Sequence, residues 1–227
     1  MSKCGPVQSK LFFGAGTSKP VVVATDVQKY LRDDQKHQYQ DEFSMAEAAK
    51  CWVAAAGAVP RSIAAVIGSD ELVSAHFEFA THVWGGGTAM TDVMAFLPDG
   101  VVAVEAKVSE PFDDLVSVWI ERNAKKNSKS PPHRRRVIKK YADAFGVPYD
   151  DLIAIRYQLL QRALSAAITA RSKGASRAWM IVQSFARQQT KEHDRNRADF
   201  ESFRELVGSA PMLTGQPVRL EWVNAVA

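Results

Sequence analysis

The sequence is poor in cysteine, and the little it has is not arranged for metal or redox work. Its two cysteines, Cys4 and Cys51, form no CxxC pair, which argues against a thiolate zinc site and against a disulfide scaffold. Cys4 reads as a tail thiol and Cys51 as a small residue in an apolar helical pattern. The histidines His37, His76, His82, His133 and His193 show neither HExxH order nor paired spacing, so they read as surface or satisfied core residues. No GxSxG elbow argues for a serine hydrolase. "GAGTSK" lacks the GxxxxGK[ST] order of a phosphate loop and reads as a turn. No apolar run approaches the length that spans a bilayer, and "MSKCGPVQSKLFFGAG" has too short an apolar run for a secretory signal. Internal repeats and low-complexity tracts are absent as well. The expectation is a globular protein of the cytoplasm, with no membrane partner.

What is present suits one large domain. With 227 residues, 46% of them hydrophobic and 24% charged, the chain can bury a full core without staples. A net charge of +4 is too small to name a partner by itself, so the position of the charge matters more than its sum. We divide the chain into an N-terminal extension over 1–43, a core domain over 44–207, and a tail or edge strand over 208–227.

"SMAEAAKCWVAAAG" reads as the first clear helix, with Ser44 and Glu47 spaced as a capping box and Gly57 as its stop. "VVVAT" reads as a short strand before it. "LVSAHFEFATHVW", "TAMTDVMAFL" and "VVAVEAKV" read as strands, the last two a hairpin across "PDG". "KKNSKSPPHRRRVIKKY" reads as a basic connector. A long amphipathic helix follows from Asp151 to Gly174, then a buried strand in "RAWMIVQSF". The order is helix, three strands, helix, strand. It implies an α/β fold with a mixed four- to five-stranded sheet flanked by helices, because a helical crossover makes its strands parallel.

The hairpin carries the chemistry. Side chains alternate along a strand, so Glu105 and Lys107 share one face of "VVAVEAKV". If Pro98 and Asp99 make a two-residue turn, Asp92 falls opposite Glu105 on that face. If Gly100 is a bulge in a three-residue loop, Asp92 points away, unless a second bulge restores the alignment. Two carboxylates held close repel unless a cation offsets them, and oxygen ligands of this kind suit Mg²⁺. A neighbouring lysine can orient or deprotonate a water, or stabilise a phosphate oxygen, which suits hydrolysis of a phosphodiester.

Asp92 followed by Glu105-Ala106-Lys107 resembles the D…(D/E)xK signature of the PD-(D/E)XK, or restriction-endonuclease-like, nuclease superfamily. The element order from Ser44 to Phe185 is similar to that fold's core, αβββαβ. The wider string "GGGTAMTDVMAF…VVAVEAKVSEPF…RYQLLQR…VQSF" resembles an uncharacterised bacterial branch of it. The resemblance implies that Asp92, Glu105 and the Ala106 carbonyl hold Mg²⁺ or Mn²⁺, that Lys107 serves the attacking water, and that Gln158 contacts water or phosphate. Thr91 stands where a proline normally precedes the first aspartate. Glu47, Glu78 and Glu110 are further acids, each with a plainer role open to it as cap, exposed strand residue or loop acid. Arg156 and Arg162 read as solvent-facing neighbours of Gln158.

The connector carries Lys125, Lys126, Lys129, Arg134, Arg135, Arg136, Lys139 and Lys140 with no acid between them. Such a run is either a solvated loop or a phosphate-contacting surface. The expectation is a metal-dependent nuclease, endo- or exonucleolytic, acting on nucleic acid and most simply on DNA, with homodimerisation common among such enzymes. The alternative is a catalytically inactive domain of the same fold that binds nucleic acid or serves assembly.

Overall fold

The computed structural model describes residues 9–33, 36, 39–40, 43–84, 87–122 and 130–225. Lys125, Lys126, Lys129, Cys4, His37 and the first two glycines of "GGG" lie outside the described residues. The strands are β1 (Leu11–Phe13), β2 (Ser74–Val83), β3 (Gly87–Phe96), β4 (Gly100–Lys107), β5 (Arg177–Ser184), β6 (Met212–Leu213) and β7 (Gln216–Asn224). They form one mixed seven-stranded sheet in the order β1-β2-β3-β4-β5-β7-β6. The sheet is wider than the four or five strands expected. β1 extends it beside β2, and β7 and β6 extend it beyond β5.

β2, β3 and β4 run antiparallel in succession, whereas β5 lies parallel to β4 and β7 parallel to β5. The crossover from β4 to β5 contains α4 (Val116–Glu121), α5 (Pro131–Phe145), α6 (Tyr149–Leu152) and α7 (Tyr157–Lys173), and that from β5 toward β7 contains α8 (Lys191–Val207). Before the sheet come α1 (Thr25–Tyr30), α2 (Ser44–Ala54) and α3 (Arg61–Ile67). Alternation on β4 feeds both cores. Val101 and Ala103 pack with α7 residues Leu160, Ala163 and Leu164, while Val102, Val104 and Ala106 pack with Trp52 of α2 and Ile63 of α3. Among the described residues no helix is long and apolar enough to cross a membrane.

Four local expectations change. "VVVAT" is not a strand, because the Val22 and Val23 N–H groups donate to the Asp26 carboxylate at 2.9 and 3.0 Å and build the turn into α1. The capping box does not form. α2 starts at Ser44 without a side-chain cap, and the Ser44 N–H donates instead to Glu110 Oε1 at 3.0 Å. Much of the basic connector is helix α5, since Val137, Ile138, Tyr141, Ala142 and Phe145 give it a buried stripe. The long helix begins at Tyr157, not Asp151. The Ile153 and Ile155 carbonyls accept from Ser117 and Val116, and the Tyr157 N–H donates to the Asp114 carbonyl, which pins that stretch to the start of α4.

Candidate active site

The turn between β3 and β4 decides the geometry. The Leu97 N–H donates to the Gly100 carbonyl at 2.8 Å, which closes Pro98 and Asp99 into a two-residue turn. Gly100 is required there, because a Cβ would lie 2.8 Å from the Trp179 ring. Pairing then runs from Phe96 with Val101 to Val93 with Val104. Asp92 and Glu105 are the next residues outward on the two strands. Asp92 Oδ2 accepts the Ala106 N–H at 2.8 Å, which ties the two strands together at that level.

Glu105 is the hub. Its Oε1 accepts from Lys107 Nζ and from Gln158 Nε2, both at 2.6 Å, and its Oε2 accepts from Arg162 Nε at 2.5 Å. Glu105 is only 1% exposed, Lys107 and Arg162 each 5%, and Asp92 is half-buried. Gln158 and Arg162 sit one turn apart on α7 and so reach the same carboxylate. Lys107 also lies 5.2 Å from the centre of the Phe112 ring. Arg162 Nη1 is buried and has no hydrogen-bond partner among the described residues.

The charges are strongly coupled. Burial, then the Glu105 charge, pushes the Asp92 carboxyl up to about 8. Burial would raise Glu105 too, but Lys107 and Arg162 outweigh it and hold the carboxyl below its usual range. Burial works against the charge on Lys107 and on Arg162, yet Glu105 and Asp92 prevail and raise both. Glu78 of β2 joins the group electrostatically. Its carboxyl is raised by burial and feels both Arg162 and Glu105. Glu78 also has a φ of 51°, an unusual backbone for a non-glycine residue, at the point of β2 facing Asp92.

A family model described as a domain of unknown function, DUF6946, matches residues 20–227. The chain belongs to that family. No curated protein and no solved structure matches it. For this DUF6946 member, the chemistry of the site therefore has to be read from its own residues.

The remaining expected residues separate clearly. Glu47 pairs with Lys50 at 2.9 Å on α2, the helix packed on the opposite face of the sheet from α7. Glu110 accepts from the N–H groups of Ser44, Val108 and Ser109, so it caps α2, although its charge also reaches Lys107. Arg134 is a correction. It is buried and donates to the Trp119 and Arg122 carbonyls at 2.7 Å, closing the end of α4 rather than facing a phosphate. Arg135, Arg136, Lys139 and Lys140 are exposed on α5, with Arg135 paired to Glu121. Arg162 is the other correction, since it is buried on Glu105 rather than solvent-facing. Its spacing of four from Gln158 was the signal available.

Among the described residues no three His, Cys, Asp or Glu side chains gather as a ready metal cage. The donors on hand, Asp92 and Glu105, are oxygens, which suit a hard cation completed by waters and substrate rather than zinc. Burial first and the Glu105 charge second raise the Asp92 carboxyl, and a cation between the two carboxylates would offset both.

Proposed function

We propose that this domain is a metal-dependent nuclease with a restriction-endonuclease-like core, hydrolysing phosphodiester bonds of nucleic acid. The observation that carries the reading is Asp92 brought beside Glu105, with its carboxyl driven to about 8 by burial and that neighbour. The order α2, β2, β3, β4, α7, β5 supports the fold assignment, and the exposed Arg135, Arg136, Lys139 and Lys140 support contact with phosphates.

In this reading Asp92 and Glu105, with the Ala106 carbonyl, hold Mg²⁺ or Mn²⁺. An ion held there would supply Lewis-acid chemistry for phosphodiester hydrolysis. Lys107, kept charged by Glu105 and Asp92, orients that water and offsets charge that develops on the phosphate. Gln158 holds the Glu105 carboxylate in place through Oε1. Arg162 braces Oε2 through Nε.

One observation favours a second reading. Both Glu105 oxygens are already taken by Lys107, Gln158 and Arg162, an arrangement that also suits a non-catalytic domain that binds nucleic acid. The test is cleavage of end-labelled single- and double-stranded DNA and RNA with Mg²⁺ or Mn²⁺, comparing the unaltered chain with Lys107→Ala. We expect metal-dependent cleavage that falls by about 100-fold or more in the variant while circular dichroism stays unchanged. Undiminished cleavage by Lys107→Ala sinks the mechanism. Binding without any cleavage by the unaltered chain selects the second reading.

A further inference from the structure

A cleft of about 820 Å³ lies toward the turn end of the hairpin, four residues along β3 from Asp92. Ser74 and His76 of β2, Phe79, Phe96 and Lys173 at the end of α7 line it. Phe79 and Phe96 meet edge to face at 5.7 Å, and His76 meets Phe96 edge-on at 5.4 Å, so one wall is aromatic. The tautomer of His76 follows from its partners. Nδ1 lies 2.9 Å from the Gly14 carbonyl, which can only accept, so Nδ1 carries the hydrogen. Nε2 then accepts from the Ser74 hydroxyl at 3.1 Å, which leaves the Ser74 oxygen as an acceptor.

The charged groups of the lining reduce to one sign. His76 is held neutral by burial, with the Lys173 charge adding to the effect. Asp99 is paired with Arg177 at 2.5 Å. Lys173 has no ion pair among the described residues, and its ammonium sits 5.5 Å from the centre of the Phe96 ring. The Gly174 and Ala175 N–H groups donate back to the Arg171 and Ala170 carbonyls, so part of the negative end of α7 is already satisfied.

We propose that this cleft is a binding site for a small planar aromatic anion, its ring against Phe79 and Phe96 and its acidic group on Lys173. The volume lies in the range of small-molecule sites, and the pattern of an apolar wall with few polar anchors is theirs as well. An aromatic carboxylate and a nucleoside monophosphate share this chemistry. The site is independent of the nuclease reading, because no residue of the Glu105 network lines it.

The test is calorimetric titration of the full chain with indole-3-acetate and with adenosine 5′-monophosphate, each beside its neutral counterpart, indole or adenosine. Lys173→Glu and Ala15→Trp are the variants, both at exposed lining positions where folding is not at stake. We expect at least one acid to bind, its neutral counterpart to bind about tenfold more weakly or worse, and both variants to lose the binding. Which acid binds identifies the source. No binding by either acid up to millimolar concentration, or equal binding of acid and neutral ring, or unchanged binding in Lys173→Glu, overturns the proposal.

Discussion

A single residue, Arg162, shows where reading a sequence runs out. Its identity as a helix residue near Gln158 was plain, but the default for an arginine is an exposed one, and long helices carry many of those. Only the packing of α7 on β4 sets its guanidinium against Glu105. Glu105 and Lys107 were legible because strand alternation puts them on one face whatever the turn does. Asp92 was conditional on Pro98 and Asp99, and the close approach of Trp179 to Gly100 is the long-range contact that no local pattern encodes. His76 offers a prediction of its own at this scale. Burial beside Phe12, Phe79 and Phe96, aided by the Lys173 charge and opposed by the bond to the Gly14 carbonyl, holds its folded value below the ordinary 6.5. Below about pH 6.5 the unfolded chain therefore takes up a proton that the folded chain refuses. The contribution is complete above that pH and is lost as pH falls toward the folded value, by about 1.4 kcal/mol for each unit of lowering. Urea unfolding at neutral pH and near pH 5 should show a smaller loss of stability in His76→Gln than in the unaltered chain.

At the scale of elements, the strands of the hairpin and the existence of α2, α7 and β5 followed from periodicity, because apolar alternation and helical stripes are local properties. Starts were less legible. α7 begins at Tyr157 because Val116, Ser117 and Asp114 engage the backbone of 153–157, and those partners are distant in sequence. α5 was hidden by its charge, since the basic run masked a stripe from Val137 to Phe145. The start of α2 is the sharpest case. Ser44 and Glu47 have capping-box spacing, yet the cap comes from Glu110, sixty-six residues away. A carboxylate at that position satisfies an orphan N–H and also favours the positive end of the helix. Glu110→Ala should destabilise the fold by about 1 kcal/mol, read from the urea midpoint, whereas Glu47→Ala should change it by less, because among the described residues Glu47 makes a surface pair with Lys50.

For the molecule as a whole, the first and last strands both belong to the one sheet. β1 lies parallel beside β2, and β7 lies between β5 and β6. Taken by itself the segment after Gly208 suggested a tail or an edge strand in "VRLEWVNA". Beside the short β6 it pairs along most of its length with β5, on the far side of α8 in sequence, and all of Ala178 to Ser184 is paired with Val218 to Asn224. Val218 and Leu220 enter the core on the α7 face and Val223 the core on the α2 face, so one strand serves both layers. Removing it strips buried apolar area from each core and leaves a long hydrophobic edge on β5, and both effects favour aggregation over folding. β5 also pairs with β4 along Glu105 and Lys107, so the candidate active site depends on that edge being covered. A chain ending at Gly208 should therefore accumulate as insoluble protein or lack a cooperative thermal transition. A soluble truncation that melts cooperatively near the temperature of the full chain would show β7 to be dispensable.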